Sequence, residues 1–309
     1  MKDILFFNFD WVPNSTYIFK SFENCGYSCD WVNEQSVYGF VPTTEYKMMI
    51  VYLHERNYAV NPILVHPLLK NTFMVQHDDT DFENVQQYYV RKPDMIMQRE
   101  LTPDTVNPYD CPVYPHHFPI YTIYKEGIIK DIDISFIGTP TNGRRLSFIE
   151  HIIRLSKNEL KHLKWYILYE QNRQRDNYVN IVNRTKIGLN YPGNSYDTWR
   201  NWEQASAKVA TIQPKLKVLS CSEGHMPYND YLEIKLDHSD LEEKINYLLE
   251  NERYKELAEK SFNSYNNFHT PEKCFEKYYE MIMRHAPESL ERKPIIPLSA
   301  EPFYRNVHK

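Results

Sequence analysis

Glycine is scarce in this sequence, with eight among 309 residues. Phosphate loops of the GxGxxG and GxxxxGK[ST] types need glycines where the backbone approaches a phosphate, and neither pattern occurs. A dinucleotide enzyme of the usual kind and a P-loop NTPase are therefore disfavoured. No apolar run approaches the roughly 20 residues that a spanning helix needs. The opening Ile4-Leu5-Phe6-Phe7 is too short for a signal peptide and is interrupted by Asn8 and Asp10, so a cytoplasmic location is expected. The five cysteines (Cys25, Cys29, Cys111, Cys221 and Cys274) are scattered and form no CxxC, which reads as free thiols rather than a structural zinc site. Positive charge is not in excess either. The net charge of −5 and pI near 6.2 draw the whole molecule to no polyanion, though they leave room for a local basic groove.

What is present is globular: 42% hydrophobic residues, 25% charged residues and 25 tyrosines. The length suits two domains. In the first half, strand-like runs at Ile4–Phe7, Asp30–Val32, Met48–Leu53, Phe73–Val75 and Asp94–Met97 alternate with connections. One connection is a helix bearing Ile18, Phe19 and Phe22, with Ser15 as its cap and Gly26 at its end. Pro103, Pro108, Pro112, Pro115 and Pro119 then predict an extended inter-domain connector. Alternation restarts with a strand at Asp133–Ile137, a helix from Arg144 with Phe148, Ile149, Ile152 and Ile153 inward, and strands at Trp165–Leu168 and Lys186–Asn190. A helix at Trp199–Ala207 and a strand at Val209–Ile212 follow. Ser239-Asp240-Leu241-Glu242 reads as a capping box, and Thr270-Pro271 opens a last helix. The expected fold is α/β, with two Rossmann-like doubly wound domains facing across a cleft: residues 1–125, residues 126–286, and a tail over 287–309.

In such folds ligands gather just after strands, and four clusters stand there. The loop Gly138-Thr139-Pro140-Thr141-Asn142-Gly143, followed by Arg144 and Arg145 on a helix, suits an anion, through exposed amides and bidentate arginine. An ordinary βα turn with solvated arginines would look the same. Arg200 and Glu203 share a helical face just after Tyr196. The carboxylate can accept two ribose hydroxyls while the arginine meets phosphate, unless the two form a plain surface ion pair. Asp78, Asp79 and Asp81 beside His77 can act as a base, bind sugar hydroxyls or hold a cation, or merely solvate a turn. His116 and His117 point apart in an extended chain, so one facing the cleft is more plausible than a shared metal.

The second half also resembles a known family. Asp133-Ile134-Ser135-Phe136-Ile137-Gly138 before Arg144-Arg145, then Tyr178 to Leu189 with its Lys186-Ile187-Gly188-Leu189-Asn190 strand, then Arg200-Asn201-Trp202-Glu203, with a late His269-Thr270, is similar to the C-terminal domain of GT-B glycosyltransferases. The resemblance covers roughly residues 130–285. It implies a C-terminal nucleotide-sugar-binding domain and an N-terminal acceptor-side domain. The implied reaction moves a hexosyl or pentosyl group from a nucleotide-diphosphate sugar, UDP-sugar favoured, to a hydroxyl with retention, using no cofactor and no metal. Glu203 would hold the donor ribose, with Arg145 and Arg200 on the diphosphate. Gly138, Thr139, Arg144 and Tyr196 complete the donor wall. Lys208 would contact phosphate where related chains place glycine near Ala205-Ser206-Ala207. Arg145 would also stabilise the leaving group, and Asp10 or Asp78 would serve the acceptor hydroxyl as base. The acceptor is a glycan, a small molecule or, as in phage enzymes of this fold, a hydroxymethylated DNA base. A GT-B-like module that binds without catalysis is the remaining alternative.

Overall fold

The computed structural model describes residues 1–7, 13–33, 35–53, 61–78, 84–87, 89–99, 101–116, 121–169, 175–193, 198–218 and 230–299. These form two compact units. The first takes its described residues from 1–119 and 271–299, the second from 121–270.

In the first unit, β1 (Lys2–Phe7), β2 (Cys29–Val32), β3 (Tyr46–Leu53), β4 (Phe73–Asp78), β5 (Met95–Gln98) and β6 (Val113–Pro115) pair in the order β2-β1-β3-β4-β5-β6. Every pairing is parallel. Parallel strands are covered on both faces, so they read as continuous apolar runs rather than alternations, and Ile4 to Phe7 are all buried. Helix α1 (Pro13–Asn24) covers one face, with Phe19 stacked on Phe6 at 4.4 Å between centroids. It opens on Pro13, two residues before the expected Ser15, because proline's fixed φ suits a first helical position. A short helix α2 (Asn61–Leu64) follows β3. The proline-rich stretch is not simply a connector, because Val113–Pro115 joins this sheet at its edge, where a missing N–H costs no ladder bond.

In the second unit, β7 (Ile132–Ile137), β8 (Trp165–Leu168), β9 (Thr185–Leu189), β10 (Ala210–Pro214) and β11 (Leu232–Ile234) run in the order β11-β10-β9-β7-β8, again all parallel. Helix α3 (Gly143–Lys157) follows β7, α4 (Arg175–Arg184) precedes β9, and α5 (Trp199–Ser206) joins β9 to β10. Helices α6 (Leu241–Leu249) and α7 (Tyr254–Phe268) come after β11. Leu241, Ile245 and Leu248 pack with Phe148, Ile149 and Ile152 on one face of the sheet, and Val179, Ile181 and Val182 cover part of the other. The expected capping box does not form. Asp240 is the N-cap of α6 without a side-chain cap bond; its Oδ1 accepts from the Lys235 amide, and Ser239 turns to Asp237.

The last helix, α8 (Pro271–His285), belongs to the first unit, not to the second as the 126–286 boundary supposed. Its Phe275, Tyr278 and Tyr279 rings meet Phe22 of α1. Beyond it, residues 287–299 are strapped to the same unit. The Tyr279 hydroxyl donates to the Lys293 carbonyl at 2.6 Å, Asn24 donates to the Ile296 carbonyl at 2.9 Å, and the Tyr17 hydroxyl reaches the Leu298 carbonyl. No helix among the described residues is long and apolar enough to cross a membrane.

Candidate active site

The order of the second sheet reverses between β7 and β9, so the chain leaves these neighbours in opposite directions and opens a crevice at their carboxyl ends. Two loops frame it, Gly138–Asn142 after β7 and Asn190–Gly193 after β9. Asn142 caps α3, its Oδ1 accepting from the Arg145 amide at 2.9 Å. Its Nδ2 donates across to the Gly193 carbonyl at 2.7 Å. Arg145 is buried, and its Nε and Nη2 donate to the Tyr191 carbonyl at 3.1 and 2.5 Å, with Nη1 at 3.4 Å from the Thr139 carbonyl. A Cβ on Gly193 would lie 2.8 Å from Nη1, so glycine is what lets the second loop close over this guanidinium.

Arg145, expected on the diphosphate, therefore has its guanidinium on carbonyls of both loops. The cation on the surface is its neighbour Arg144, which is exposed at the first turn of α3. Arg144 also acts on the Tyr191 phenol, whose pKa burial raises and the arginine partly lowers. Gly138 and Thr139 line the first loop, and a Cβ on Gly138 would meet the Phe136 ring at 2.9 Å.

Helix α5 forms the other side. Gln204 is buried where Gly188 of β9 has no side chain, and its Oε1 accepts from Thr211 of β10 at 3.0 Å. A Cβ at Gly188 would lie 2.6 Å from the Gln204 amide, so the glycine sets how closely α5 approaches the sheet. Arg200 is half-buried in the first turn and Glu203 is buried one turn on. The Glu203 carboxylate accepts a 2.6 Å hydrogen bond from the Tyr178 hydroxyl, which comes from the first turn of α4. Asn190, at the end of β9, donates to Gln213 at 3.0 Å and Thr198 at 3.2 Å, and bonds Asn201 as well. His269, from the resemblance's late motif, lies flat on Trp202 with centroids 3.4 Å apart, seating α5 against the end of α7.

Lys208 does not belong to this crevice. It follows α5 and precedes β10, at the amino edge of a parallel sheet, opposite the edge where ligands gather. There its ammonium pairs with Glu259 at 2.9 Å and lies over the Phe262 ring. Lys130, just before β7, sits nearby and donates to the Asn183, Thr185 and Ala207 carbonyls at 3.2, 2.8 and 3.2 Å. Burial, with Lys208 adding, lowers its pKa to about 8. Sequence reasoning missed Lys130 and the partners of Asn142 and Tyr178, though an asparagine one residue before a helix start is a cap signal.

In the first unit, Asp78 ends β4 at the carboxyl edge and is fully buried. Beside it His77 bonds the Tyr278 hydroxyl at 2.8 Å, and its ring lies 4.3 Å from that of His116, which bonds the Asp78 carbonyl at 3.0 Å. Asp10, Asp79, Asp81, His117 and Tyr196 lie outside the described residues. Among the described residues no group of three or more His, Cys, Asp or Glu side chains is arranged to hold a metal ion.

No protein-family model matches this chain, and no curated protein matches its sequence. Solved structures do match in fold. The chain is similar to sucrose-phosphate synthase from Thermosynechococcus elongatus, with TM-score 0.58 and 7% identity over 92% of this chain and 99% of that one. It is similar to the pneumococcal O-GlcNAc transferase GtfA in complex with UDP and GlcNAc, with TM-score 0.55 and 11% identity over 78% of this chain. The match spans 57% of that transferase's length. It is also similar to Anabaena HepE in complex with UDP-glucose, with TM-score 0.51 and 9% identity over 92% of this chain and all of that one. At these identities the likeness establishes the fold: two parallel-sheet α/β units of the GT-B glycosyltransferase kind.

Proposed function

We propose that this chain is a glycosyltransferase that takes a hexosyl or pentosyl group from a nucleotide-diphosphate sugar, UDP-sugar favoured, and passes it to a hydroxyl with retention. The observation that carries the reading is the crevice at the switch point of the second sheet. It joins a capped helix start carrying exposed Arg144 to a helix carrying Arg200 and Glu203. That pairing suits a nucleoside diphosphate. The α3 amides and Arg144 meet phosphate oxygens through the helix dipole and charge-assisted bonds, and Glu203 accepts ribose hydroxyls. UDP in the pneumococcal transferase and UDP-glucose in the Anabaena protein support the donor class.

The chemistry follows from where charge grows. As the glycosidic bond to the diphosphate breaks, negative charge accumulates on the departing oxygen, and donors already in place at α3 lower that barrier without reorganising. Arg144 and the helix start take the role first given to Arg145. Arg145 keeps the two loops in register, so that those donors stay aimed. On this reading Asp78, at the end of β4, remains the candidate for the acceptor-side carboxylate.

Titration of UDP by calorimetry into wild type, Arg144→Ala and Glu203→Gln tests this. Glu203→Gln should weaken UDP by about ten- to a hundredfold, the worth of charge-assisted hydroxyl bonds. With a turned-over donor, Arg144→Ala should depress kcat more than donor affinity. Wild type that binds neither UDP nor any other nucleoside diphosphate would overturn the reading. Tight binding with no donor hydrolysis would leave only the binding module.

A further inference from the structure

We infer that Tyr178 is a positioning residue for Glu203 and thereby sets the preference of this site for nucleotides with free ribose hydroxyls. The inference rests on the ribose role proposed for Glu203.

A buried carboxylate is held in place only by the donors around it, and a glutamate has three side-chain torsions to lose. The Tyr178 hydroxyl stands 2.6 Å from Glu203 Oε2, the short separation of an O–H donor on an ionised acceptor. The donor is itself rigid. A tyrosine has two torsions, and this ring packs against the apolar cluster of Val179, Val182, Ala207 and Val209. The helices that carry the two residues are also tied together at their far ends. The Lys130 ammonium takes the Asn183 carbonyl in the last turn of α4, the Thr185 carbonyl at the start of β9 and the Ala207 carbonyl at the end of α5. The same connector adds bonds from Lys125 to Asn183 and from Ile123 to Ser206. With the two helices pinned at one end, the Tyr178–Glu203 bond joins them again near the crevice. A hydroxyl held there fixes which rotamer the carboxylate adopts, and that rotamer decides whether ribose oxygens find it.

The test compares UDP with 2′,3′-dideoxy-UDP, titrated by calorimetry into wild type, Tyr178→Phe and Glu203→Gln. Wild type should prefer UDP. Tyr178→Phe should lose about tenfold on UDP and under about twofold on the dideoxy analogue, the loss of one hydrogen bond felt only through the ribose. Equal losses on both probes would mark Tyr178 as merely structural and overturn the inference; so would no loss on either. Glu203→Gln separates this from the underlying reading. If it keeps the wild-type preference for UDP, the ribose role itself fails. If it loses that preference while Tyr178→Phe keeps it, only the inference about Tyr178 fails. Should Tyr178→Phe not fold, 3,5-difluorotyrosine at position 178 keeps the ring's shape and makes the hydroxyl more acidic. UDP affinity should then fall with rising pH, as the donor becomes an anion facing Glu203, while dideoxy-UDP affinity stays level. A level UDP profile would overturn the inference.

Discussion

His77 sits where a proton has nowhere comfortable to go. Burial lowers its pKa well below 6.5, and His116 lowers it further. Its ring is enclosed by Tyr52, Phe19, His116 and Tyr278, so the neutral form is what the core accommodates. The linkage has a definite sign. Below pH 6.5 the unfolded chain takes up a proton at this position that the folded chain refuses, so stability falls with acidity. The slope is about 1.4 kcal/mol per pH unit for one such group. His77→Asn, which keeps an acceptor for Tyr278, should flatten the acid side of the stability curve by close to one proton. Urea unfolding between pH 7 and pH 5 measures it; an unchanged slope would mean that His77 is not the proton-linked group.

Elements show how far pattern alone reaches. Continuous apolar runs marked β1 and β3, because parallel strands are buried on both faces, whereas polar residues interrupt β7 and β9. The i,i+3 spacing of Arg200 and Glu203 placed both on one short helix, as found. The burial of Arg145 was not legible, since it depends on a carbonyl 46 residues away that no local rule connects to it. Gly188 was readable only as a residue inside a strand. Its purpose appears once Gln204 is seen in the space a side chain would fill. Gly188→Ala would put a Cβ 2.6 Å from the Gln204 amide and push α5 off the sheet. Overpacking of this kind costs roughly 1–3 kcal/mol. The variant should melt lower and bind UDP more weakly, because Glu203 moves with its helix; the pair Gly188→Ala with Gln204→Ala should recover the stability.

At the scale of the whole molecule, α8 and the segment after it make the first unit from two separate stretches of sequence. The Tyr27 and Tyr279 hydroxyls meet at 2.8 Å across 252 residues of sequence, which is why the allegiance of α8 escaped a reading of neighbours in sequence. The described residues of the second unit, by contrast, all fall within 121–270. A fragment of residues 120–270 should therefore give a cooperative melt alone, while a chain cut after residue 270 should lose the first unit's melt and keep the second's. Two-transition calorimetry distinguishes these, and a first unit that melts normally without α8 would refute the dependence. On the ribosome this makes the order of maturation vectorial. The second unit can complete itself while the first waits, six strands already translated, for α8 to leave the exit tunnel. A stop codon ahead of α8 would then cost the cell the unit whose strands were made first.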